Sequence, residues 1–177
     1  MTAPKPAMGP AIRPAIRGLH HAAYRCRDSE ETRHFYEDFL GLPLAEAFEI
    51  DTSGAGMPAN VLHSFYRLGD GSFIAFFEAP DADFDFKDQH DFDLHIALEV
   101  DMDTLHQMFA RGRTKGIETR GIADHGFVHS IYFRDPNGYV VELTAKTDAA
   151  QPDDSAPSLE KAHAALHAWQ AKKQRKG

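Results

Sequence analysis

The chain has 177 residues, with 19 lysines and arginines against 27 aspartates and glutamates, a formal charge of −8. With 42% hydrophobic and 26% charged residues it is ordinary globular composition. The acidic balance excludes non-specific nucleic-acid binding, no apolar run approaches the roughly 20 residues of a membrane helix, and the single cysteine, Cys26, excludes an intrachain disulfide or a cysteine zinc site. That cysteine usage fits a reducing compartment, so a cytoplasmic protein is expected. Eleven histidines direct attention to metal or acid–base chemistry.

Residues 1–16 carry prolines at 4, 6, 10 and 14 and lack an apolar signal-peptide stretch, which predicts a mobile arm. Residues 17–80 form a first module. It opens with an alternating strand, His21-Ala22-Ala23-Tyr24-Arg25-Cys26. Asp28 and Glu31 then make a capping-box-like helix start, with Thr32, Phe35, Phe39 and Leu40 on one face and Gly41 at the end. Strands are predicted over 44–50, 61–68 and 72–78, with a tight turn at Gly69-Asp70-Gly71. Residues 81–91 read as a linker. Residues 92–146 repeat the pattern, starting with His95-Ile96-Ala97-Leu98-Glu99-Val100 and a helix capped by Asp101 with Leu105 and Phe109 in its core face. Strands over 117–121, 127–134 and 139–146 follow, with a turn at Asp135-Pro136-Asn137-Gly138. Residues 147–177 are a linker and a helix. Ser158 is its expected cap, and Leu159, Ala162, Leu166 and Trp169 form one apolar stripe. Lys172, Lys173, Arg175 and Lys176 follow at its end. Such a helix docks on the protein or supports a dimer.

The fold class is therefore α+β, two βαβββ modules. Neither half is large enough to bury a good core alone, so the two are expected to pair, within one chain or by exchange in a homodimer. Each first strand carries a histidine, His21 or His95, and each last strand a glutamate, Glu78 or Glu142. Glu78 follows His21 by 57 residues and Glu142 follows His95 by 47; the ten-residue loop 51–60, present only in the first half, accounts for the difference. A glutamate inside an apolar strand is costly unless paired or metal-bound. Two histidines with one or two carboxylates suit divalent iron, manganese, nickel or zinc, and a two-His-one-carboxylate face suits iron(II) with oxygen. His21, His95, Glu142 and Glu78 are thus the candidate metal ligands.

From about Gly18 to Thr144 the sequence resembles the vicinal oxygen chelate superfamily, which includes glyoxalase I, extradiol dioxygenases and fosfomycin- and bleomycin-resistance proteins. The resemblance is carried by LHHAAYRCRDSEETRHFYEDFLGLPL, DLHIALEVD and, most specifically, YFRDPNGYVVEL. It implies paired βαβββ modules forming a curled mixed sheet around a metal cleft, with the usual ligands falling on His21, His95 and Glu142. In glyoxalase-like members a fourth ligand falls on Glu78. The second half also resembles the extradiol dioxygenase fingerprint: His125, then Ile131-Tyr132, Asp135-Pro136, Gly138 and Glu142, departing only at Ala123. By that resemblance Tyr132 and His125 hydrogen-bond a bound catecholate. Ring-cleaving members also place a histidine near the start of the first module's last strand. Gly71 and Ser72 stand there instead, with His63 as a possible substitute from the neighbouring strand.

Three functions follow from the resemblance. One is an iron(II) extradiol-type dioxygenase opening a catechol-like ring. A second is a glyoxalase-type lyase or isomerase using Glu78 as fourth ligand or base. The third is a non-catalytic drug- or metabolite-binding protein. The expected partner is a small, aromatic substrate bearing two adjacent oxygens, with no nucleic acid and no membrane.

Overall fold

The structure, a computed structural model, describes residues 16–52, 58–149, 151 and 155–174. The chain divides into two compact units, Met1–Phe86 and Lys87–Gly177. Apart from Ile16, the expected N-terminal arm lies outside the described residues, as do residues 53–57 of the expected loop.

In the first unit β1 (His21–Cys26) is followed by α1 (Ser29–Arg33), then β2 (Leu44–Thr52), β3 (Pro58–Arg67) and β4 (Phe73–Glu78). The sheet order is β1-β4-β3-β2, with β1 parallel to β4 and the other pairs antiparallel. Asp28 caps α1 as expected, its Oδ1 accepting from the Glu31 N–H at 2.8 Å. The helix then widens into a π-helical turn over His34–Phe39, closed by Leu40 N–H donating to the Phe35 carbonyl five residues back at 2.9 Å. The extra residue rotates the buried face. Tyr36 becomes fully buried beside Phe35 and Phe39, while Leu40, expected in the core, stays half-buried. Tyr36 packs 4.8 Å from Phe76 and 5.5 Å from Tyr66, which locks the turn onto the sheet. Burial also pushes the Cys26 thiol up to about 11, so it is an inert core residue.

The second unit runs β5 (His95–Glu99), α2 (Met102–Thr114), β6 (Thr119–Asp124), β7 (Val128–Arg134), β8 (Val140–Lys146) and α3 (Ala156–Gln174). Its sheet order, β5-β8-β7-β6, repeats that of the first unit, with β5 parallel to β8. Leu105 and Met108 of α2 are buried, with Ile131, Phe133, Val141 and Leu143 of the sheet beneath; Phe109 is only half-buried. The Asp135–Gly138 turn is internally satisfied. Asp135 Oδ1 accepts from the N–H groups of Asn137 and Tyr139 at 2.9 and 2.8 Å, and Gly138 takes φ +92°.

Two expectations change. The segment read as a linker is partly structure of the second unit, since Lys87 N–H donates to the Asn137 carbonyl at 2.9 Å and Gln89 N–H to that of Gly138 at 3.0 Å. Helix α3 is capped by Ser155 and not Ser158: the Leu159 N–H reaches the Ser155 carbonyl at 3.0 Å and the Ser158 N–H its hydroxyl at 3.4 Å. Pro157 falls in the first turn, where it has no N–H to waste. The stripe of Leu159, Leu166 and Trp169 is exposed. No helix among the described residues is long and apolar enough to cross a membrane.

Helix α2 meets the sheet at Gly112, where an added Cβ would collide with Thr119 Oγ1 and the Phe133 ring. Gly112→Ala is therefore expected to destabilise the second unit by about 1–3 kcal/mol despite alanine's better helix propensity. Equilibrium denaturation measures it, and an unchanged or raised midpoint would contradict this packing.

Candidate active site

Residues paired across a ladder share a face of the sheet. In the second unit Arg120 pairs with Tyr132, Tyr132 with Glu142, and Glu142 with Ala97, and two residues before Ala97 stands His95. Four strands thus bring Arg120, Tyr132, Glu142 and His95 onto one face, opposite the α2 side.

Glu142 is 7% exposed. Its Oε2 lies 3.1 Å from His95 Nε2. The other His95 nitrogen, Nδ1, is 2.7 Å from the Asp91 carbonyl. A carbonyl only accepts, so Nδ1 carries the hydrogen, and in the neutral ring Nε2 presents a lone pair to the carboxylate. Two acceptors do not meet at that distance unaided, so a proton, on the imidazole or on the carboxyl, or a cation stands between them.

Tyr132 hydroxyl is 2.9 Å from His125 Nε2. Burial first, and the nearby Glu142 charge second, push its phenol above the ordinary tyrosine value, so the hydroxyl stays protonated. The Arg120 guanidinium lies 5.5 Å from the Tyr132 ring centroid. It also makes a two-point pair with the Asp91 carboxylate, at 2.8 and 2.7 Å, which holds that carboxyl below the usual aspartate range.

In the first unit the same face of β1 bears His21, which is exposed. His20 Nδ1 lies 2.8 Å from His21 Nδ1, one donating to the other. Glu78 is not on that face. Its register partner is Cys26, and its Oε2 accepts from the Ser29 N–H at 2.7 Å, capping α1 on the opposite side of the sheet. The residue standing where Glu142 stands in the second unit is Ala75, paired with Ala23 as Glu142 is paired with Ala97. The expectation of Glu78 as a fourth ligand or base is therefore corrected by one reversal of strand parity.

The face instead carries His63. Its Nδ1 lies 2.9 Å from the Phe76 carbonyl, its ring stacks on Phe77 at 3.8 Å, and its centroid is 6.3 Å from that of His21. The carbonyl again fixes the hydrogen on Nδ1 and leaves Nε2 as an acceptor. Phe65 lies 5.6 Å from His21, with Phe48 and Phe73 at 5.9 and 5.8 Å from Phe65, which makes this side of the sheet an aromatic wall. Phe76, in the same strand as Phe73 and Phe77, is fully buried on the helix side.

The donors fit a divalent cation: a tautomerically fixed imidazole facing a buried carboxylate, with backbone support behind the ring. Among the described residues no group of three or more His, Cys, Asp or Glu side chains is able to hold a metal ion. His95 and Glu142 are two donors within the second unit.

A family model described as the Glyoxalase/Bleomycin resistance protein/Dioxygenase superfamily matches residues 18–143. The chain belongs to this superfamily. Similar folds include a glyoxalase/dioxygenase from Nostoc punctiforme, 20% identical, with TM-score 0.59 over 80% of this chain and 100% of that one. The fosfomycin resistance protein FosX from Listeria monocytogenes, complexed with Mn(II) and sulfate, is 20% identical with TM-score 0.56 over 75% and 95%. TnmS3, an antibiotic binding protein from Streptomyces sp. CB03234, is 18% identical with TM-score 0.56 over 76% and 100%. No curated protein matches the chain.

Replacing Glu78 tests its assignment. Glu78→Gln weakens a charged cap on α1 and is expected to lower the stability of the first unit by about 0.5–2 kcal/mol, read by denaturant unfolding. Unchanged stability would contradict the capping role.

Proposed function

We propose that the protein is a divalent-metal-dependent enzyme acting on a small substrate with two neighbouring oxygens, and that its reaction is iron(II)-dependent opening of a catechol-like ring. The observation that carries this reading is the opposed His95–Glu142 pair, with the hydrogen-bonded Tyr132–His125 couple attached to the same strand face. With Glu78 engaged on α1, the proposed ligands are His95, Glu142 and His21, the two-His-one-carboxylate set that suits iron(II) and leaves positions open. His21 belongs to the set because it opens β1 in the register at which His95 opens β5. Manganese, nickel and zinc can use the same donors.

When bound, the metal supplies a Lewis acid for the diol and a redox centre for oxygen. The chain's residues do the rest. The neutral Tyr132 hydroxyl donates to a substrate oxygen that carries negative charge. His125 Nε2 exchanges the proton with that hydroxyl. His63 Nε2 is a second proton acceptor, on the face that bears His21. Phe48, Phe65, Phe73 and Phe77 suit a flat aromatic ring, which favours a catechol over an aliphatic diol. In the reaction one ring carbon–carbon bond breaks and both atoms of dioxygen enter the product.

A lyase or isomerase reading rests on Glu142 alone, acting as base on a carbon beside a carbonyl. Binding without chemistry is the reading that the likeness to TnmS3 suggests.

Oxygen uptake by protein loaded anaerobically with iron(II), against a panel of catechols, is the test. Uptake is expected with at least one catechol, lost by more than about 100-fold in His95→Ala, which removes a ligand, and by about 10–1,000-fold in Tyr132→Phe. Iron-loaded protein that consumes no oxygen with any of them would refute ring opening for those compounds.

A further inference from the structure

We propose that Arg120 is a positioning residue that holds His95 and Tyr132 at once, and so sets both metal affinity and the orientation of the proton-transferring phenol. The inference rests on the metal-enzyme reading above and concerns a residue that the sequence did not single out.

The argument is topological. Strands β5 and β6 are the two edges of the second unit's sheet and share no backbone hydrogen bonds. The Arg120 side chain, on β6, nevertheless reaches Asp91, in the segment that leads into β5, through two parallel hydrogen bonds of 2.8 and 2.7 Å. The Asp91 backbone carbonyl is the acceptor that fixes His95 Nδ1. The same guanidinium lies against the Tyr132 ring. The contacts close a circuit: Arg120 to Asp91, Asp91 to His95, His95 to Glu142, Glu142 to its register partner Tyr132, and Tyr132 back to Arg120.

A lead-in segment could be held by any surface contact. This one is held by a planar fork, which fixes the orientation of the Asp91 side chain as well as its distance. Glu118 sits 3.4 Å from Arg120 Nε, so the guanidinium is gripped from a second side. Arg120 is 41% exposed at its side chain and contributes little core, so its loss is expected to leave the fold intact while freeing Asp91 and, through it, the His95 ring.

The test uses full-length wild type, Arg120→Ala and Arg120→Lys, each checked by circular dichroism and thermal unfolding. The first readout needs no metal. Solvent exchange of the His95 Nδ1 proton, followed by NMR on protein with labelled histidine, is expected to be about tenfold faster in Arg120→Ala. The second is Mn(II) binding by calorimetry, where affinity is expected to fall by about 10–100-fold, the range for outer partners of a metal-bound histidine. Arg120→Lys keeps the charge and loses the fork, and is expected to fall between the other two. An Arg120→Ala protein with wild-type His95 exchange overturns the proposal, and so does wild-type behaviour of Arg120→Lys. Should wild type bind no Mn(II), the functional reading fails, and the exchange rates alone decide the role of Arg120.

Discussion

A buried carboxylate 3.1 Å from an imidazole nitrogen needs a proton or a cation between the two, and the second unit is arranged around that pair. Glu142 sits in a strand whose neighbours Val141 and Leu143 are core, so its charge is costly unless something positive meets it. His95 is poised to supply or share that charge because its far nitrogen is tied to a backbone carbonyl. The Tyr132 hydroxyl, held protonated by burial and then by the same carboxylate, adds a hydrogen-bond donor beside it. Removing either member of the pair leaves its partner unmatched, which ties folding energetics and chemistry to the same atoms.

The first unit keeps the scaffold and changes the chemistry. Its sheet has the same strand order and the same parallel first and last strands, yet Ala75 replaces the carboxylate and an aromatic wall covers the face. The second unit carries the buried carboxylate and the hydrogen-bonded phenol, and the first carries an exposed imidazole and an aromatic face. The superfamily hosts several chemistries on this scaffold, so membership alone chooses none of them.

Much of this was legible in the residues. The alternation in HAAYRC and HIALEV placed both histidines on the face away from the helix, and the two βαβββ patterns followed from turn and capping signals. Glu78 was misplaced because its spacing was compared through a loop of uncertain length. The sounder ruler was the turn. Gly71 and Gly138 both adopt positive φ before the last strand, and Glu142 lies four residues after Gly138 where Ala75 lies four after Gly71. Parity gave the same answer, since Glu78 alternates in step with the buried Ile74 and Phe76. The π-helical turn at His34–Phe39 left no such trace, because it is decided by how Tyr36 fits against Tyr66 and Phe76. Arg120 was also hidden, because its partner Asp91 is 29 residues away in a segment with no regular pattern.

The most direct test of the central claim is the iron content of wild type, His21→Ala, Glu142→Ala and Glu78→Gln after anaerobic loading with iron(II) and removal of excess metal. The account predicts about one ion per chain in wild type and in Glu78→Gln, and close to none in His21→Ala and Glu142→Ala. Full iron retention by Glu142→Ala, or its loss in Glu78→Gln, would contradict it.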